Sequence, residues 1–183
     1  MEHKGWRSRG YLPHYDRAEE VQHVVFGLAD AFPQERDAPV NVVERWLWRE
    51  AALDRGAGAC LLRGDAATIV EDALLYFDSQ RYGLFAWCVM PNHVHALVCV
   101  MQGWPLGPVV HSWKSFTANR INAIYSRTGA LWRREYYDRF MRDDAEFDAT
   151  RRYIEENPVK AKFVEMAEDW RWSSAWRGRV AKP

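Results

Sequence analysis

The spacing of apolar positions changes along this chain, and each change marks an element. VQHVVFGLAD, residues 21–30, is rich in β-branched and aromatic residues and predicts a first strand, stopped by DAFPQERDAP. NVVERWLWREAALDR, residues 41–55, places Val42, Val43, Trp46, Leu47 and Leu53 at helical spacing and is ended by the glycines of GAGA. DAATIVEDALLYFD, residues 65–78, predicts a second helix with Asp65 as its N-cap and a face of Ile69, Val70, Ala73, Leu74 and Phe77. YGLFAWCVMPNHVHALVCV, residues 82–100, is apolar except in its middle. Pro91-Asn92 forbids a continuous helix there, so the run predicts a β-hairpin whose strands, apolar on both faces, belong at the centre of a sheet. Residues 105–127 predict a third helix, and LWRREYYDRFM, residues 131–141, is aromatic and charged without a clear period. DDAEFDATRRYIEEN, residues 143–157, opens on acids and predicts a last helix closed by Pro158. This order predicts an α+β sandwich with an antiparallel sheet.

Composition narrows the setting. A chain of 183 residues, 48% hydrophobic and 14% aromatic, can bury one full core, which predicts a single domain over 1–183. Formal charge sums to zero, but residues 1–100 carry 10 Lys/Arg against 14 Asp/Glu and the remainder 15 against 11, a weak polyanion signal in the second half. Cys60, Cys88 and Cys99 are odd in number and lack metal-finger spacing, as expected of reduced thiols in a cytoplasmic protein. MEHKGWRSRG has no apolar stretch that could act as a signal peptide, and no segment approaches the roughly 18 apolar residues of a membrane span. A membrane protein is not expected.

Candidate chemistry centres on MPNHVHALV, residues 90–98. In a strand, side chains alternate, so His93 and His95 share one face and Val94 and Ala96 the other. Two imidazoles on one face can share a cation. His-x-His spacing also occurs in cupin-type and amidohydrolase-type metal sites, but those need further histidines or carboxylates. The remaining histidines, His3, His14, His23 and His111, form no second clustered pair along the sequence.

MPNHVHALV is similar to the HUH motif of single-tyrosine transposases, two histidines flanking a bulky apolar residue. GYLPHYDRAEEVQHVVFGLADAFP, LWRREYYDRFMRDD and YIEENPVKAKFVEMAEDWRWSSA extend the resemblance over nearly the whole chain, in order, to REP-associated tyrosine transposases. The resemblance implies a ferredoxin-like sandwich with the histidine strand at its centre, helices packed on the sheet, and a divalent metal, Mg²⁺ or Mn²⁺. It also implies a tyrosine nucleophile in the helix before NPVK, which selects Tyr153 over Tyr125, Tyr136 and Tyr137. Related transposases carry a Gln four residues after the tyrosine as a third metal ligand. Here Asn157, one methylene shorter, stands at that position, and Glu156 is the other nearby oxygen. Tyr153 and Asn157, four apart, are neighbours on one helical face.

The implied activity is metal-dependent single-stranded DNA cleavage and strand transfer on repetitive extragenic palindromes, hairpins attacked to give a 5′-phosphotyrosine. A monomer is implied rather than the dimer of insertion-sequence relatives. Cations interleaved with aromatics suit such a substrate: Lys114, Arg133, Arg134, Arg139, Arg142, Arg177 and Arg179, with Trp170, Trp172 and Trp176 in the tail. Two other readings stay open. A hairpin-binding protein impaired in catalysis would fit the shortened amide at Asn157, and a small-molecule metal hydrolase would fit the histidine pair alone.

Overall fold

The apolar run at 82–100 folds into two strands joined by a tight turn. Within the computed structural model, which describes residues 2, 3, 5–8, 13–31, 39, 41, 44, 48, 51–53, 58 and 61–178, they are β4 (Tyr82–Val89) and β5 (His93–Val100). The remaining strands are β1 (Gly5–Ser8), β2 (Pro13–Asp16), β3 (Val21–Gly27) and β6 (Tyr137–Phe140). The long helices are α1 (Asp65–Tyr76), α2 (Leu106–Ile124) and α3 (Asp144–Lys160). β3, β4, β5 and β6 form one antiparallel sheet in the order β4-β5-β3-β6. The succession β3-α1-β4-β5-α2-β6 in that order is the ferredoxin-like arrangement, so the α+β sandwich is present as expected.

Alternation along the strands separates two cores. Val24 and Phe26 of β3 with Val94, Ala96 and Val98 of β5 meet α1 and α2 through Val70, Leu74, Val110 and Trp113, all buried. On the opposite face Leu97, Ala86, Cys88 and Met90 meet Ile154 of α3, with Tyr153 and Phe147 packed against them. Tyr82 and Trp113 lock the first core: the Tyr82 hydroxyl donates to the Leu74 carbonyl at 2.7 Å and accepts from Trp113 Nε1 at 2.9 Å.

Several expectations need correction. β5 is an inner strand, but β4 lies at the sheet edge. Its apolar outer side is explained by the tail, because Val89 N–H donates to the Trp172 carbonyl and Ser174 N–H to the Trp87 carbonyl, both at 2.9 Å. The edge groups at Trp87 and Val89 are thereby occupied. Asp65 is the first residue of α1 rather than its cap, which is Gly64. Its carboxylate still complements the positive end of the helix. Pro158 does not close α3: it lies inside, and the helix runs on to Lys160. A proline forfeits only its own N–H, and the Pro158 carbonyl still accepts from Phe163 N–H at 2.9 Å. The 131–141 segment contains β6, and the N-terminal stretch forms the separate β1-β2 hairpin, which the pattern did not announce. Most of the helix expected over 41–55, including Val42, Val43, Trp46 and Leu47, lies outside the described residues, as do Cys60 and Arg179; Leu53 is buried in the first core.

Candidate metal and nucleophile site

The second core is where polar groups gather. His93 and His95 sit on the α3 face of β5, fully buried, with their Nε2 atoms 2.9 Å apart. Burial pushes the pKa of His93 down to about 3, with proximity of His23 as the lesser cause. It holds His95 well below the usual imidazole range, helped by His93, His23 and Lys160. Both rings are therefore neutral and carry a lone pair.

Neighbours decide which nitrogen carries that lone pair. Asn92 donates through Nδ2 to the Leu53 carbonyl at 2.9 Å, so its Oδ1 faces His93 Nδ1, 2.7 Å away, and accepts the proton there. The lone pair of His93 is left on Nε2. His95 has an equivalent partner that sequence spacing missed: His23 of β3 places Nε2 at 2.9 Å from His95 Nδ1. His23 is itself buried and its pKa is lowered to about 3, by burial first and by Arg139 second. In the tautomer in which His95 donates from Nδ1 to His23, its Nε2 lone pair points at that of His93. The signal for His23 was a lone histidine in a β-branched run, and only the β3–β5 pairing, His23 opposite Leu97, makes it a neighbour.

Asn157 completes the cluster. It is buried, its amide lies 3.2 Å from His95 Nε2 through Nδ2, and its Oδ1 has no hydrogen-bond partner. A buried orphan oxygen is costly, and a half-turn of the amide exchanges its two ends, aiming oxygen at the point where both Nε2 atoms converge. Two nitrogens and an amide oxygen then face one spot. Cis ligands about 2.05 Å from an octahedral ion stand about 2.9 Å apart, against about 3.3 Å around a tetrahedral one. The observed separation of 2.9 Å lets both Nε2 atoms face one small divalent ion. Among the described residues no cluster of three or more His, Cys, Asp or Glu side chains suited to a metal occurs, and the Asn157 amide is the further polar group beside the two Nε2 atoms. Glu156 points elsewhere: it lies 3.7 Å from Lys160, about half exposed.

Tyr153 stands one helical turn before Asn157, edge-on to His95 with ring centroids 5.7 Å apart and to His23 at 6.2 Å. Its rivals are placed differently. Tyr125 follows the end of α2 and Tyr136 packs on His14, centroids 4.5 Å apart, while Tyr137 lies opposite Val25, one strand further from His95.

Of the expected DNA-contacting cations, Arg139 comes nearest the histidines, since its register partner is His23. It pairs with Glu146, which Arg142 also contacts at 3.1 Å. Lys114 reaches from α2 to the carbonyls of Arg133 and Arg134 at 2.7 and 2.8 Å, tying down the segment before β6. Arg134 itself is 82% exposed. Arg177 pairs with Asp169 and Glu168. The tail indoles turn inward: Trp170 donates to the Val89 carbonyl and Trp172 to Thr68, and Arg171 pairs with buried Glu71 at 2.8 Å. Trp170 thereby fastens the tail to β4 and Trp172 fastens it to α1.

A ferredoxin-like sheet with paired histidines on an inner strand and a tyrosine on the covering helix defines a class, and family comparison agrees. A family model described as IS200-like transposase matches residues 66–157, half of the chain, and the chain belongs to that family. That span holds His93, His95, Tyr153 and Asn157. Within the family its likeness is to REP-associated tyrosine transposases. A Haemophilus influenzae protein so described is 28% identical over 105 residues, 50% of this chain but 58% of that relative's length. A solved structure of a REP-associated tyrosine transposase bound to a REP hairpin superposes with a TM-score of 0.59 at 15% identity, covering 94% of this chain and 88% of that one. The superposition establishes the shared fold.

Proposed function

We propose that this chain is a divalent-metal-dependent endonuclease and strand transferase for single-stranded DNA at REP-type hairpins, with Tyr153 as nucleophile and His93, His95 and Asn157 as metal ligands. The observation that carries the reading is the convergence of the two Nε2 atoms and the Asn157 amide beside the Tyr153 ring. It acts as a single domain and a monomer in the cytoplasm; among the described residues no helix is long and apolar enough to cross a membrane.

When bound, Mg²⁺ or Mn²⁺ supplies Lewis-acid stabilisation of charge on the non-bridging phosphate oxygens. The chain does the rest. Asn92 holds the proton on Nδ1 of His93, and His23 is placed to do the same for His95, leaving both Nε2 atoms to a cation. Helix α3 carries Tyr153 and Asn157 on one stripe, so nucleophile and third ligand are positioned by the same rigid body. The phenol oxygen attacks phosphorus, the phenolic proton passes to solvent, and the bond to the 3′ oxygen breaks, that oxygen taking a proton. The product is a 5′-phosphotyrosine and a 3′-hydroxyl, and attack by another 3′-hydroxyl reverses the step.

Against the reading of impaired catalysis stands the reach of the shorter Asn157 side chain, whose amide lies 3.2 Å from His95 Nε2 through Nδ2. A small-molecule hydrolase needs further carboxylate or imidazole ligands, and among the described residues no group of three or more such side chains suited to a metal occurs. The deciding experiment incubates a labelled REP-type hairpin oligonucleotide with protein and Mn²⁺ and resolves the products under denaturing conditions. A protein–DNA adduct is expected from the wild type and none from Tyr153→Phe, which still retains the hairpin on a native gel. An adduct undiminished in Tyr153→Phe moves the nucleophile to another tyrosine, and activity persisting in excess chelator removes the metal.

A further inference from the structure

We infer that Lys160 is a phosphate-binding residue of the cleavage site, holding the scissile phosphodiester against Tyr153; the inference rests on the proposed function above. Tyr153, Asn157 and Lys160 are spaced four and three along α3 and therefore share one stripe of the helix. Lys160 Nζ lies 4.5 Å from the centroid of the Tyr153 ring, and its charge is felt at His95. The helix thus presents a phenol, an amide and an ammonium to the same place.

The substrate brings negative charge into a site whose protein donors are all neutral. Cations around it differ in how tightly they are engaged. Arg139 and Arg142 both pair with Glu146, which is 12% exposed, whereas the ion pair of Lys160 among the described residues is with the half-exposed Glu156 at 3.7 Å. An ion pair of that kind is worth about 0–1 kcal/mol and yields readily to a phosphate. An ammonium offers three donors and forms stronger, charge-assisted bonds with phosphate oxygens. Lys160 is also a cation in the last turn of a helix, which the macrodipole favours by itself. That role accounts for a positive charge at position 160 but requires no partnership with the nucleophile's ring.

The test compares Lys160→Met, which keeps an apolar stem over the ring, with Lys160→Arg, which keeps the charge. Three quantities are measured for each: hairpin affinity in chelator, Mn²⁺ affinity by electron paramagnetic resonance, and the single-turnover rate of adduct formation at saturating hairpin and Mn²⁺. Lys160→Met is expected to slow adduct formation about 10- to 100-fold, the loss of one charge-assisted contact, with both affinities within about threefold. Lys160→Arg is expected to recover most of the rate. A Lys160→Met rate within twofold of wild type overturns the inference while leaving the proposed function standing. So does a loss that arginine fails to recover, or one matched by an equal fall in hairpin affinity. A wild type that forms no adduct overturns both.

Discussion

Replacing His23 by Phe removes the acceptor that fixes His95 while keeping a planar ring of similar size. In the wild type His23 Nε2 lies 2.9 Å from His95 Nδ1, and both residues are buried. After substitution His95 Nδ1, fully buried, faces a hydrocarbon edge in place of the His23 nitrogen. A buried polar group left unpaired costs about 1–3 kcal/mol. The ring can evade that cost by moving its proton or turning, and either escape withdraws the Nε2 lone pair from the point it shares with His93. Loss of an outer partner of a ligating histidine weakens metal binding about 10- to 100-fold, which is about 1.4–2.7 kcal/mol and agrees with the hydrogen-bond figure. The assay titrates Mn²⁺ into each protein and reads free ion by electron paramagnetic resonance, alongside melting curves with and without metal, because a ligand of the native state raises the midpoint. His23→Gln, whose terminal amide overlies the imidazole Nε2, is expected to recover most of the affinity. The reasoning is refuted if His23→Phe melts cooperatively and binds Mn²⁺ within twofold of wild type.

Other substitutions probe separate links. Asn157→Leu keeps the bulk of the helix face but removes the third donor, so Mn²⁺ affinity by the same titration should fall about 10-fold or more while the metal-free melting point holds or rises, the orphan oxygen being gone. Tyr82→Phe strands Trp113 Nε1 and should lower stability by about 1–3 kcal/mol in urea unfolding. Burial raises the Tyr82 phenol to about 12 from 10.0, so the unfolded chain ionises first as pH climbs. Wild-type stability should therefore decline between pH 10 and 12 more steeply than that of Tyr82→Phe, as measured by urea unfolding across that range. Ser174→Pro deletes the N–H given to Trp87 and opens the β4 edge; light scattering on warming should show earlier aggregation than wild type.

The legible parts of this fold were those encoded over short distances. The β4–β5 hairpin follows from two apolar runs around Pro91-Asn92, and α3 from its acidic start, where Asp143 accepts from Glu146 N–H. The shared face of His93 and His95 needed only strand alternation. What escaped depends on pairing between distant segments. β6 is four residues long and is a strand because β3 lies beside it, and His23 joins the site because β3 also pairs with β5. The tail tryptophans look like base-stacking residues in the sequence because their hydrogen-bond partners, Val89 and Thr68, lie some 80 and 100 residues earlier. Lys160 stands in the NPVK element, yet its position over Tyr153 emerges only once α3 continues through Pro158.

The Asn92 side chain has two ends and one axis, so its bonds to Leu53 and His93 cannot change independently. If the Leu53 carbonyl withdraws, half a revolution of the amide would offer hydrogen where it had offered oxygen. His93 would then have to shift its proton to the far nitrogen, leaving no electrons there for a cation. A backbone oxygen 39 positions away in sequence is thus tied to the state of the ring: the Leu53 carbonyl holds the amide in the sense that arms His93.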